Sequence, residues 1–498
     1  KGRLTSVTSA EGLRSGFIYD MYGNRIQSIS PDGARIVRSA DERGRIIKEL
    51  TPAGTLTTFT YDALDRLCSV RVYASRMACA NKEPAQESID YEYVDDFSRL
   101  HSAVTRNGAT TRYEYTPSGK VSRVTDPTGV FTSFAYDERD NLVQTSNAIG
   151  DTITMSYDAN DRVVAVRMPS GATTYAEYDD ASRPVLLTDP TGATTRYTYT
   201  QAGKISTVTD PTGAIYGFEY NETGDVAAVI APDGARTTSE FDEIGYLNRI
   251  VDPSGAVTRI LRDGMGRVTE LIDPAGSVWR TDYDAADTLV EHIDPTGVWE
   301  RTTHDIAKGL YKTQNVNGTE RTTLDSLGRI RELVDLSGGL TRWSYENLAT
   351  GVTSGAHQSV SPSVSNLPSI SHIQQDIKSH PGAHTVVTRT DAADGEHREV
   401  YDAAGRVIQQ ISATGAVTAY TYDACGRVST VTDPDGYTTE HTYDADSRLV
   451  AKTCAGTVVE SFSYDPAGRV LEHRRGGRLI GRYSYDAAGR PVLVVDSA

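Results

Sequence analysis

Tyr422-Asp423-Ala424-Cys425-Gly426-Arg427-Val428, followed at a short interval by Asp433-Pro434-Asp435-Gly436, is the stretch that decides how this chain folds. The aromatic residue that opens it returns every 21 residues, at Tyr115, Tyr136, Tyr157, Tyr178, Tyr199, Tyr220 and Phe241. The register runs on through Arg262, Tyr283 and His304, and reappears at Tyr401, Tyr422, Tyr443, Tyr464 and Tyr485. A fixed period of this size marks an array of one supersecondary unit.

Numbering the aromatic as offset 0 exposes two turn clusters, Asp-x-x-Gly at offsets 1–4 and Asp-Pro-x-Gly at offsets 11–14. The second recurs at Asp126, Asp189, Asp210, Asp252, Asp273 and Asp294. Asp favours the first position of a type I turn, because its carboxylate accepts from backbone N–H groups just ahead. Pro pre-sets φ at the second position, and Gly tolerates the positive φ that follows. This is a short hairpin connection closed by a bulge. Between the turns lie segments of strand length. In Thr195-Arg196-Tyr197-Thr198-Tyr199 the two tyrosines share one face, a period of 2. The shorter segment is less regular: Ile205 and Val208 have opposite parity, so either a bulge intervenes or both faces are partly covered. No helical periodicity survives between such closely spaced Gly and Pro.

The expected fold class is therefore all-β, a long meander of hairpins. About two strands per repeat give on the order of 40 strands, and at ~4.8 Å per strand a flat sheet would be roughly 200 Å wide. Open twisted sheets rarely exceed ~10 strands without curling. Near-identical units twist and bend alike, so the ribbon is expected to wind into a spiral and enclose or line something. Gly2-Arg3-Leu4 and Asp496 both fall inside a repeat, which reads as a piece of a longer polypeptide, a fragment of a larger shell.

Two insertions break the rhythm. One occupies residues 68–93, with Val94 taken as the next register position after Tyr61. The other is a loop over 350–396 in which Ser369 to Ser379 has helix-forming character. The expected organisation is repeat ribbon over 1–349, inserted loop over 350–396, and ribbon again over 397–498.

Charge and chemistry narrow the function. With 50 Lys+Arg against 67 Asp+Glu the chain is acidic, net −17, which argues against nucleic-acid binding. No stretch approaches the ~20 apolar residues of a membrane span. Cys68, Cys79, Cys425 and Cys454 make no disulfide framework; Cys68 with Cys79 is the one candidate pair, set against four free thiols. His357, His372, His380, His384 and His397 cluster in the second insertion, but Pro381-Gly382 breaks the spacing that would make His380 and His384 ligands. The turn aspartates could be imagined as calcium ligands, but each is needed by its own turn, so calcium sites are not expected. Arg406, Arg427, Arg448, Arg469 and Arg490, at offset 5, are expected to pair with a carboxylate on a neighbouring strand. No catalytic, cofactor-binding or metal-binding residue is expected, and no cofactor.

Tyr401-Asp402-Ala403-Ala404-Gly405-Arg406-Val407 and Tyr464-Asp465-Pro466-Ala467-Gly468-Arg469-Val470 resemble the YD repeat of Rhs-type proteins. That family includes the B and C subunits of bacterial Tc toxins, wall-associated contact-dependent toxins and the animal teneurins. The resemblance implies a hollow β-shell around a C-terminal toxin cargo. It further implies a secreted or delivered bacterial effector, type VI secretion with spike proteins and a chaperone, and an immunity protein for the toxin. The self-cleaving members close their shell with a motif that this sequence does not contain, so no catalytic residue is carried over. A second reading is a teneurin-like surface adhesin whose tyrosines stack on glycans or a protein partner. A third, an enzyme acting on cell-wall polymer, has no residue to support it.

Overall fold

The computed structural model describes residues 2–9, 12–94, 99–105, 108–284, 289–305, 308–348 and 384–496. Among them are 43 strands and one short helix, Arg76–Ala80. From Ser6–Thr8 to Pro491–Asp496 the strands form one sheet, and successive strands pair antiparallel without a crossover. The ladder is open at both ends.

The turns behave as their residues dictate. Asp210 Oδ1 accepts from the amides of Thr212 (2.8 Å) and Ala214 (3.0 Å). The Gly213 amide donates to the Asp210 carbonyl at 2.9 Å, with Gly213 at φ 87°. Pro211 fits the second position because no N–H is needed there. Most repeats use the same closure.

The parity of the short strand is resolved by a bulge. Tyr197 lies opposite Val208 and Thr198 opposite Thr207, but Tyr199 lies opposite Ile205, leaving Ser206 without a partner. The extra residue puts Ile205 and Val208 on the same face as the two tyrosines. That face is half-buried, while Arg196 and Thr198 on the other are exposed. A two-layer sandwich would bury one face of every strand. Here the buried apolar residues among those described are only Leu56, Ala78, Ala109, Ala228, Val386, Val400, Ile408 and Ile411. The ribbon is a single layer.

It also returns to itself. Thr55 Oγ1 donates to the Ser326 carbonyl at 2.7 Å, and 25 strands, Leu56–Tyr61 to Gly318–Leu324, lie between the two residues. The Ser170 amide donates to Asp446 Oδ1 at 2.9 Å across 23 strands, Thr173–Tyr178 to Thr438–Tyr443. An odd number of strands joins opposite edges of a meander, so the ribbon climbs by its own width as it winds. At ~4.8 Å per strand the perimeter is roughly 120 Å and the diameter about 40 Å.

The first insertion holds a longer strand, Leu67–Tyr73, the helix, and Glu87–Tyr93. The register residue after it is Tyr93 and not Val94: the ladder bulges beside Tyr93, whose hydroxyl donates to the Leu67 carbonyl at 2.9 Å. The miscount has a physical source. The next turn closes from the Val94 amide to the Arg99 carbonyl, one residue longer than Asp20 to Asn24. Within the expected loop 350–396, His384–Thr390 is instead a strand, pairing with Leu340–Leu348 and Glu396–Tyr401. Val386 and Thr388 share one face of it, with Val386 buried and Arg389 on the other face exposed, as suits a strand with one covered side. Ser369–Ser379, His357, His372 and His380 lie outside the described residues.

Candidate functional site: the joint between repeats and the seam between turns

The recurring residues meet in one joint. Arg406 donates to Asp402 twice, from its amide to Oδ1 (2.9 Å) and from Nε to Oδ2 (2.8 Å), so the guanidinium is fixed by the turn that precedes it. It lies over the ring of Tyr422 in the next repeat, 4.5 Å from the centroid. The Tyr422 hydroxyl in turn donates to the Val407 carbonyl at 2.6 Å. The joint repeats at Asp179–Arg183–Tyr199 (4.4 Å over the ring), Asp423–Arg427–Tyr443 (4.5 Å), Asp444–Arg448–Tyr464 (5.0 Å) and Asp465–Arg469–Tyr485 (4.8 Å). The offset-5 arginine therefore pairs with its own turn aspartate, correcting the expectation of a neighbouring-strand partner. A four-residue separation within a tight turn brings the two groups together before any other strand is reached. Cross-strand pairs do occur on the exposed face, at Arg280–Glu270 (3.0 Å), Arg301–Glu291 (2.7 Å) and Arg482–Glu472 (2.5 Å).

The joint sets its own electrostatics. The side-chain hydrogen bond from Arg162 holds the Asp158 carboxyl below its ordinary range, and Arg183 does the same for Asp179. Burial pushes the phenols of Tyr199, Tyr422, Tyr443 and Tyr464 upward.

One repeat reverses the partners. Offset 5 is Tyr246 and the following register position is Arg262, and Arg262 lies 5.3 Å over the Tyr246 ring. The cation–ring contact survives an exchange of both residues, which points to the pairing as what the position requires.

The seam between successive turns brings together the Asp-Pro-x-Gly edge of one and the Asp-x-x-Gly-Arg edge of the next. A cleft of about 620 Å³ lies there, lined by Ser170, Tyr175, Asp189, Arg448, Tyr464 and Asp465. Ser326 Oγ and Gln86 Oε1 are 2.6 Å apart across the seam, and Arg329 Nη1 stands 3.9 Å from Glu87 Oε1.

Among the described residues no group of three or more His, Cys, Asp or Glu is placed to hold a metal ion, and all four cysteines are free thiols. His397 Nε2 lies 3.3 Å from Asp391 Oδ2, a turn carboxylate. Glu460, held by Lys452 (2.7 Å) and His473 (2.8 Å), falls to about 2 and stays an anion in a closed ion-pair group. The joint and the seam were not named from sequence, and the bulge was one of two options left open there. The joint had a signal, since aspartate, arginine and tyrosine recur at fixed offsets; the seam had none.

Comparison with known proteins agrees with this geometry. The RHS Repeat family model matches residues 1–35, 41–75, 115–150, 401–439 and 426–459, and the Teneurin YD-shell model matches residues 135–301. No curated protein matches the chain. A crystal structure of TcdB2-TccC3-Cdc42 is similar at a TM-score of 0.66 and 13% identity, over 99% of this chain and 33% of that one. A Photorhabdus luminescens Tc holotoxin pore is similar at 0.52 and 13%, over 99% and 32%. The chain thus spans about a third of the length of these solved chains, and the likeness is one of fold. With its repeat, its turn chemistry and its winding in agreement, the chain carries RHS repeats and has the fold of a YD shell.

Proposed function

We propose that this chain is part of the wall of a container, enclosing the C-terminal toxin domain of a secreted Rhs-type effector. One observation carries the reading: a single-layer ribbon meets its own opposite edge after 25 strands, leaving an interior roughly 30 Å across once inward side chains are allowed for. That width accommodates a small domain or a collapsed chain. The wall itself performs no reaction in this reading, and its partners are the rest of the shell and the cargo. Delivery between competing bacteria by type VI secretion, with spike proteins, a chaperone and an immunity protein, is the finer part of the proposal. Cryo-electron microscopy of the full-length polypeptide is expected to reveal density inside the coil, in contact with these strands; an empty or filled-in wall contradicts it. A competition assay with and without a functional type VI apparatus tests the route.

The Teneurin YD-shell match over residues 135–301 supports a second reading, a surface adhesin. A glycan array separates the two, since specific binding by the purified chain favours adhesion.

A further inference from the structure

The seam has a register problem that the ribbon cannot solve by itself. Both edges repeat every 21 residues, so sliding one turn past the next by one repeat brings similar turns into contact again. Ser170 faces Asp446 at offset 3 of its repeat; one repeat earlier the same offset is Cys425. A periodic interface of this kind specifies its register weakly unless something irregular pins it.

We infer that the first insertion is that pin, a clamp that sets how many strands make a turn. Ser75 caps the helix Arg76–Ala80 through Oγ to the Ala78 amide at 3.1 Å, and Ala78 is buried. The chain then returns to the sheet with the Gln86 amide donating to the Val72 carbonyl at 2.7 Å. This places Gln86 and Glu87 at the seam, where they meet Ser326 and Arg329 of a single turn, Asp325–Arg329. Thr55 reaches the same turn from the preceding loop, through the Ser326 carbonyl. Among the described residues no other repeat carries a helix between its two strands, so the contact cannot be reproduced one repeat away. The insertion thus breaks the translational degeneracy of the seam. The inference concerns the winding of the coil and stands whether or not the coil holds a cargo.

Engineered disulfides read the register directly, because bridged Cα atoms must lie within ~7 Å and neighbouring repeats are offset by two strands, about 10 Å. With the insertion intact, Ser170→Cys combined with Asp446→Cys is expected to cross-link on oxidation, and Ser170→Cys alone is not expected to join Cys425. Replacing residues 72–86 by Asp-Pro-Thr-Gly restores a 21-residue unit between Tyr61 and Tyr93. In that background the 170–446 product is expected to fall at least several-fold and a 170–425 product to appear, by peptide mapping, with the strand circular dichroism retained. The same cross-links in unchanged yield would overturn the inference. Should the replacement fail to fold, Gln86→Ala with Glu87→Ala is expected to move the products in the same direction, and an unchanged pattern there overturns it equally.

Discussion

The ribbon over 115–283 and the strands over 384–411 belong to one sheet, but among the described residues only the second adds a buried apolar cluster to its polar joint. In the first, polar joints lock most hairpins to the next: the Tyr199 hydroxyl donates to the Pro184 carbonyl at 2.6 Å and the Tyr178 hydroxyl to the Val163 carbonyl at 2.9 Å. In the second, Val386, Val400, Ile408 and Ile411 form a buried apolar cluster, with Val417 and Tyr422 packed against it. Tyr401 donates to Glu399, which helps push its phenol up to about 12. A one-layer wall has little area to bury per repeat, so it relies on directional contacts. Where apolar burial is found it adds to the joint: Tyr422, packed on that cluster, still donates to the Val407 carbonyl and still lies under Arg406.

The comparison breaks most completely at alkaline pH. The raised tyrosines favour the neutral phenol in the fold, so their contribution is fully present below ~10, the ordinary phenol value, and is lost as pH rises through their higher folded values. The expected outcome is cooperative loss of strand circular dichroism above pH ~10, accompanied by the 295 nm phenolate signal. The aspartates work in the opposite sense. Asp158 and Asp179 are lowered, so their contribution is present above ~4 and lost as pH falls through the folded values. The ribbon over 115–283 is expected to exchange its amide hydrogens faster at pH 3 than over 384–411 once intrinsic rates are corrected.

Substitutions sharpen the contrast at smaller scale. Val400→Ala removes methyl groups from a fully buried position and is expected to cost about 2 kcal/mol, read as hydrogen-exchange protection lost over 384–411. Tyr199→Phe removes one donor while keeping the ring, for about 1 kcal/mol, confined to the repeats on either side. The exchanged pair gives the finest test. Tyr246→Arg and Arg262→Tyr are each expected to destabilise, and the double variant to recover, with a coupling of about 0.5–1 kcal/mol in a double-mutant cycle. Additive effects would deny that the pairing is what the position requires.

Much of this was legible in the residues. The Asp-x-x-Gly turns, the tyrosine alternation and the curling followed from local chemistry, because turns and two-residue periodicity are written in consecutive side chains. The joint was half legible. Arg183 and Asp179 stood in plain view, but the Pro184 carbonyl that receives Tyr199 belongs to the backbone and has no residue signature. The bulge at Ser206 was left as one of two options, since parity alone does not distinguish an extra residue from a second covered face. Tyr93 was misplaced by one because a longer turn follows it. Thr55 and Ser326 were beyond reach: their meeting depends on curvature summed over 25 strands.

The central claim is that this chain winds into a hollow coil with a wall one sheet thick. Cryo-electron microscopy of the purified chain tests it most directly. The account predicts a ring-like projection about 40 Å across at the backbone, with an interior roughly 30 Å wide bounded by a single β-layer. A solid two-layer particle, or a flat ribbon roughly 200 Å long, would contradict it.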